Sequence, residues 1–266
     1  MSGPNAAAFT RALVRRPGST FASGLTSAAG PPPDLIAAGE QHLAYCAALR
    51  ETGLIVSQLA PELQFPDGTF VEDTAIVTAR GAILTRPGAP SRTGEVESVA
   101  VALRAIFPQL PAIQAPGTLD GGDVCEADGR FLIGLSTRTN ESGAAQLADF
   151  LTSLGYEACV VDIRTTAALL HLKTGLAYIG DDTWVMTRIA RQVVPLDGFA
   201  ARRVIDVPEE EAYAANCVRV NDSVLVPARC PRVIDALRTT GHRILALDMS
   251  EFKKMDGGLS CLSLRF

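Results

Sequence analysis

The sequence predicts an α/β fold in which one hairpin-and-helix unit repeats about an axis, and three observations predict it. Polar turns bearing glycine or aspartate start at Phe65, Gly117, Leu170, Tyr213 and Met255. Each leads into short apolar segments that read as a hairpin, and an amphipathic helix follows most of them. The turns recur at intervals of roughly 40 to 50 residues, the period of propeller blades. An ordinary α/β sandwich whose hairpins share turn chemistry is the competing architecture, because the units resemble one another only weakly.

At 266 residues, with 47% hydrophobic and 20% charged, the chain has the composition of a globular protein and is expected to form a single domain over 1–266. It contains no apolar run long enough to span a bilayer, and MSGPNAAAFTRALVRRPG lacks the continuous apolar segment of a secretion signal, so a cytoplasmic location is expected. Six cysteines, at 46, 125, 159, 217, 230 and 261, form no CxxC pair. That argues against a structural zinc knuckle and against a disulfide framework. A net charge of −5 without a Lys/Arg block makes nucleic acid an unsuitable partner, whereas a cationic small molecule meets no overall repulsion.

GLTSAAGPPPD, rich in Gly, Ser and Pro, reads either as a lid over 24–33 that lays Leu25 over a pocket, with Gly24 and Gly30 as hinges, or as a plain connection. A helix is expected from Asp34 to Thr52. FPDGTFVEDTAIV opens the first repeated unit, and the spacing of Val96, Val99, Leu103 and Ile106 gives the helix after it one buried face. In the second unit Asp128-Gly129 reverses the chain between VCEA and RFLIG, and Ala144, Leu147, Leu151 and Leu154 form the next helical stripe. LHLKTGLAYIGDDTWVM opens the third unit. Asn221-Asp222 turns the fourth between CVRV and SVLV. The last six residues read as a strand, with Leu262, Leu264 and Phe266 on one face and Cys261, Ser263 and Arg265 on the other.

Each turn would deliver different polar groups to one end of the axis: Asp67, Glu72 and Asp73; Asp120 and Asp123; His171; and Cys261. Each has an ordinary explanation, since Pro-Asp-Gly suits a turn and a lone histidine is commonly structural. Together they suit a guanidinium. Carboxylates bind its N–H edges, a thiolate is the strongest side-chain nucleophile for its poorly electrophilic carbon, and a histidine can protonate the departing amine and later activate water. Arg92 in PSRTG and Arg138 in STRTN could hold an α-carboxylate or lie idle on the surface.

FPDGTFVED, TRPGAPSR, GTLDGGD, STRTN, HLKTGLAY, EEEAYAANCVRVN and KMDGGLSCLSLRF together closely resemble the dimethylarginine dimethylaminohydrolases, guanidine-modifying enzymes of the pentein superfamily, from Gly24 to Phe266. The resemblance implies a five-bladed α/β propeller, no cofactor, and hydrolysis of asymmetric dimethylarginine or monomethylarginine to citrulline plus the methylamine; a Cys–His pair beside carboxylates could take up zinc adventitiously, but no functional metal is expected. It implies Cys261 as nucleophile, His171 as general acid and base, and Asp120 as the carboxylate pairing with the histidine and substrate; some members carry glutamate at that place. Asp73 would hold the guanidinium, supported by Glu72 and Asp67. Arg92 and Arg138 would bind the amino-acid carboxylate, and Leu25 and the backbone near Met255 would close over the substrate. The same resemblance leaves a homodimer open, and no membrane or nucleic-acid partner is expected. Arginine deiminase, agmatine deiminase, amidinotransferase and a non-catalytic binding pentein are the rival readings. The deiminase-like relatives usually place an aspartate two positions after the histidine, where this chain has Lys173.

Overall fold

The computed structural model describes residues 8–196 and 198–266; the stretch read for a leader begins outside them. Strand β1 (Arg11–Arg15) is followed by helix α1 (Leu35–Glu51), whose start is fixed by the Asp34 side chain accepting from the Ile36 and Ala37 N–H groups. Strand β2 (Ile55–Leu59) then pairs parallel with β1. The next unit is the hairpin β3 (Ala75–Thr78) and β4 (Gly81–Leu84), followed by α2 (Val96–Arg104). The third is the hairpin β5 (Val124–Ala127) and β6 (Arg130–Leu135), helix α3 (Glu141–Ser153), and β7 (Glu157–Asp162) parallel to β6. One turn of helix, α4 (Leu172–Gly175), precedes β8 (Leu176–Tyr178) and β9 (Thr183–Thr187); α5 (Arg188–Val193) and β10 (Arg203–Val207) complete that unit. The last full unit is β11 (Val218–Val220), β12 (Ser223–Pro227), α6 (Pro231–Arg238) and β13 (Arg243–Leu247). After the short α7 (Ser250–Lys253), β14 (Leu264–Arg265) pairs antiparallel with β1, so the two ends of the chain complete one blade and close the ring.

Among the described residues five small sheets result, which is the repeat rather than the sandwich. Four have three strands: an antiparallel pair and a parallel strand reached through a helix. The β3–β4 sheet has two, with its third strand reduced to a parallel bridge between Leu84 and Ala112. Pro108 and Pro111 both lie just before Ala112 and lack the N–H a longer ladder would use. At the second hairpin Asp128 and Gly129 both have positive φ, +49° and +82°, which the tight reversal needs. The apolar clusters form where neighbouring units meet; Leu147 and Leu151 of α3, for example, share one with Phe131 and Ile133 of β6 and with Ile76 and Ile83 of the preceding hairpin. Among the described residues no helix is long and apolar enough to cross a membrane.

The three expected helices form where the pattern put them, except at two ends. Helix α3 stops at Ser153, leaving Leu154 as its C-cap. Helix α2 ends at Arg104, so Ile106 falls beyond it and is 41% exposed instead of joining Val99 and Leu103 in the core. The C-terminal reading also needs correction. Cys261 lies in a single 3-10 turn, Ser260–Leu262, and only Leu264 and Arg265 pair as strand. Ser263, placed on the polar face by simple alternation, is buried with its hydroxyl 2.7 Å from Tyr45 Oη. Tertiary hydrogen bonds from α1 and from Asn216 bend a segment whose local pattern alone would be extended.

Candidate active site

A short helical turn precedes the first strand of every unit: Val71–Thr74, Gly121–Asp123, α4, Glu209–Asn216 and Ser260–Leu262. Successive turns pack on one another around the axis, except that Glu209–Asn216 meets Ser260–Leu262 chiefly through hydrogen bonds between Asn216 and Ser260. That geometry gathers residues far apart in sequence. A cavity of about 250 Å³ is lined by Leu25, Asp67, Asp73, Arg92, Arg138, His171, Met255 and Cys261 among others. A larger one of about 1110 Å³ lies across the same pair, sharing His171 and Cys261 and adding Glu72, Lys173, Asn216 and Ser260.

His171 Nε2 lies 3.0 Å from Asp120 Oδ2, while Asp120 Oδ1 accepts the Gly88 N–H at 2.8 Å. Burial disfavours the imidazolium, but Asp123, the Asp120 hydrogen bond and Asp73 outweigh it and raise His171 to about 9. Asp123 itself is structural. Its carboxylate accepts from the Ser136 and Thr139 hydroxyls and from the Leu172 N–H, capping α4 directly after the histidine, and burial raises its carboxyl. Asp73 accepts the Gly122 N–H at 2.8 Å and Arg92 Nη1 at 2.6 Å. Burial would lift its proton affinity, yet the Arg92 guanidinium and then His171 prevail and hold it at about 2. Half-buried Cys261 accepts the Gly258 N–H on Sγ at 3.3 Å; burial, with Glu72 and Asp73, pushes the thiol up to about 12. At neutral pH the resting site therefore holds a thiol, an imidazolium and an ionised Asp73.

The remaining expected residues divide. Asp67 takes the Leu25 N–H on both carboxylate oxygens, at 3.0 and 3.1 Å, and burial raises its carboxyl despite Arg92 nearby. Leu25 is 42% exposed on the rim, and buried Met255 forms part of the wall beside it. Gly24 has an ordinary φ of −69°; what it supplies is space, because a Cβ there would meet Asp67 Oδ1 at 2.5 Å. The 24–33 segment is tied at its start through Thr26 Oγ1 to the Lys254 carbonyl and through the Ser27 N–H to Asp256.

Arg92 departs from the expectation. Its guanidinium is buried and engaged by Asp73, by Glu95 on Nε and Nη2, and by the Phe70 carbonyl, so it braces Asp73 more than it presents itself to a ligand. Arg138, half-buried in the same wall, has no side-chain hydrogen bond or ion pair among the described residues and is the open guanidinium of the small cavity. Glu72 departs too: its oxygens accept from Lys173 Nζ and Ser260 Oγ, both at 2.6 Å, and it lines the larger cavity, not the smaller.

Sequence reading missed the backbone that aims these groups. The N–H donors of Gly88 and Gly122 orient Asp120 and Asp73, and neither residue has room for a side chain: a Cβ on Gly88 would lie 2.2 Å from the Arg138 carbonyl, and one on Gly122 2.8 Å from the His171 ring. The GTLDGGD motif carried that signal for Gly122. Asp73, Asp120 and His171 could offer a metal three donor atoms within 4.8 Å, but Asp73 already serves Arg92 and Gly122, and Asp120 serves Gly88 and His171.

The fold and this cluster define a guanidine-processing class of protein: residues 64–203 match the model of the family described as arginine deiminase. The N(G),N(G)-dimethylarginine dimethylaminohydrolase of Pseudomonas aeruginosa is 41% identical over 97% of this chain and 100% of its own, and that of Streptomyces coelicolor is 35% identical over 96% of each. A solved mutant of the Pseudomonas aeruginosa enzyme complexed with citrulline superimposes with a TM-score of 0.93 at 40% identity, covering 97% of this chain and 100% of that one. The chain belongs to the dimethylarginine dimethylaminohydrolase family, and its five-unit ring is the pentein architecture the motifs implied.

Proposed function

We propose that the protein hydrolyses asymmetric dimethylarginine and monomethylarginine to citrulline, releasing dimethylamine or methylamine. The observation that carries this reading is the small cavity, where Cys261 and the His171 imidazolium share walls with two carboxylates, Asp67 and Asp73, and with the Arg138 guanidinium, which has no side-chain partner among the described residues. Arg138 suits the α-carboxylate through a two-point contact, and Asp67 and Asp73 suit the N–H edges of the guanidinium. Residues 24–33 act as a lid, with Leu25 at its inner edge.

The resting thiol is a poor nucleophile until substrate arrives. A cation beside Sγ offsets Glu72 and Asp73, favours the thiolate and lets the proton leave to solvent. The thiolate adds to the guanidinium carbon, and the His171 imidazolium protonates the methylated nitrogen, which departs as the amine and leaves a thiouronium on Cys261. The now neutral His171 takes a proton from water as the oxygen adds to the same carbon. Collapse expels the thiolate and forms citrulline. Asp120 keeps the imidazole oriented through both transfers. Lys173, turned to Glu72 in the larger cavity, offers no carboxylate to an unsubstituted guanidinium nitrogen, which favours methylated substrates over arginine.

The test is citrulline release from asymmetric dimethylarginine, monomethylarginine, arginine and agmatine in parallel, with Cys261→Ser as control. Turnover confined to the methylated pair and lost in the variant is expected; turnover of arginine would reassign the chain as a deiminase.

A further inference from the structure

Of the five turns around the axis, four carry the acid, base and nucleophile described above, and the Glu209–Asn216 turn carries none. Its last residue nevertheless borders the site, lining the larger cavity with His171 and Cys261. Asn216 is 8% exposed and uses both ends of its amide: Nδ2 donates to the Lys173 carbonyl and to Ser260 Oγ, each at 2.9 Å, and Oδ1 accepts the Ser260 N–H at 2.9 Å. Ser260 Oγ donates onward to Glu72, and Lys173 Nζ returns to the other Glu72 oxygen. Asn216, Ser260, Glu72 and Lys173 thus form a closed polar loop drawn from four different units.

Every other member of that loop adjoins a chemical group. Glu72 precedes Asp73, Ser260 precedes Cys261, and Lys173 lies two residues after His171. The glycine behind the nucleophile is fitted to the amide as well, since a Cβ on Gly258 would approach Asn216 Oδ1 to 2.2 Å, and the Gly258 N–H points at Cys261 Sγ. Few side chains can fill this place: it needs two donors and one acceptor in one plane, which an amide has and a carboxylate or hydroxyl lacks. We propose that Asn216 is a positioning residue that holds the Cys261 turn in register with the His171 turn, closing the ring on the side where no catalytic group resides.

This inference rests on Cys261 being the nucleophile, so its test needs a readout independent of methylarginine turnover. In Asn216→Ala and Asn216→Asp, kcat and KM for asymmetric dimethylarginine, the thermal midpoint, and the rate of Cys261 alkylation by iodoacetamide at pH 9 would be measured. Trypsin releases Met255–Arg265, in which Cys261 is the one cysteine, so its alkylation is read separately by mass spectrometry. Loss of register should lower kcat by about 100-fold in Asn216→Ala, as an ångström-scale misplacement does, with KM changed far less because Asp67, Asp73 and Arg138 lie outside the loop. Alkylation should quicken in Asn216→Ala, whose turn is released, and slow in Asn216→Asp, which sets a second carboxylate beside Glu72. Loss of stability alone would not move the two variants in opposite directions. Near-normal kcat in both, or alkylation unchanged or shifted the same way in both, overturns the proposal. Should Asn216→Ala not fold, Asn216→Ser, which keeps one donor, takes its place in the same comparison. If the native enzyme alkylates as described but turns over no methylarginine, the substrate reading fails and the positioning role is still decided by alkylation.

Discussion

Replacing Asp120 by Asn tests the electrostatics of the site while keeping its size and the oxygen that accepts the Gly88 N–H. His171 is held at about 9 against burial by Asp123, by its hydrogen bond to Asp120 and by the charge on Asp73. A hydrogen bond to a charged partner contributes about 1.5–3 kcal/mol. At 1.36 kcal/mol per pKa unit, losing it lowers His171 by roughly 1 to 2 units, to about 7–8. The assay is an NMR titration of the imidazole Cε1–H resonances. The three histidines separate well, because burial lowers His42 to about 4 and also lowers His242, leaving His171 as the curve above pH 8. In the variant the imidazolium should be largely lost by pH 8.5, and the alkaline limb of kcat should move down by the same interval. A native midpoint at or below 7, or a midpoint that does not move in Asp120→Asn, would refute the account of His171 as a resting-state acid.

Three further outcomes are expected. Arg138→Ala should raise KM by roughly 10- to 150-fold with a smaller effect on kcat, the equivalent of one charge-assisted contact; equal KM in steady-state kinetics would remove Arg138 from substrate binding. Gly121→Ala should destabilise the fold by at least about 1–3 kcal/mol, because its Cβ would lie 2.0 Å from the Glu72 carbonyl, whereas Gly39→Ala, in α1 with nothing within 4 Å, should stabilise by roughly 0.5–1 kcal/mol; thermal melts of the two variants shifting the same way would contradict both. Stability should peak near pH 6.5. Below that, His42 stays neutral in the fold down to about 4 while the unfolded chain takes up a proton, so stability falls with pH; above it, His171 keeps its proton to about 9 while the unfolded chain releases one, so stability falls as pH rises. Urea midpoints from pH 4.5 to 9.5 check this, and a flat profile counts against both assignments.

Much of the fold was legible because it rests on local rules. Asp34 capping α1, Asp128-Gly129 reversing the second hairpin and the stripe of Ala144, Leu147 and Leu151 all follow from short-range periodicity and turn chemistry. The failures have two sources: a helix that stops before its apolar stripe does, and distant partners that override the local pattern. Ile106 continued a helical stripe after α2 had ended. The alternation in the last six residues suggested a strand, whereas Asn216 and Tyr45 bend that segment into a turn. Gly88 and Asn216 escaped notice as site residues because their roles depend on partners 32 and 44 positions away.

The sequence by itself determined the repeated unit, the helix and hairpin positions, the family, and the inventory of groups suited to a guanidinium: the thiol, the imidazole, the carboxylates and the arginines. Only the tertiary structure decided how they are deployed. It turned Arg92 inward to brace Asp73, left Arg138 open to the cavity, committed Glu72 to Lys173 and Ser260, and charged His171 while keeping Cys261 protonated. The physical reason is that proton affinities and hydrogen-bond partners depend on burial and on charges a few ångströms away, and closing the ring is what brings residues from different units within that range.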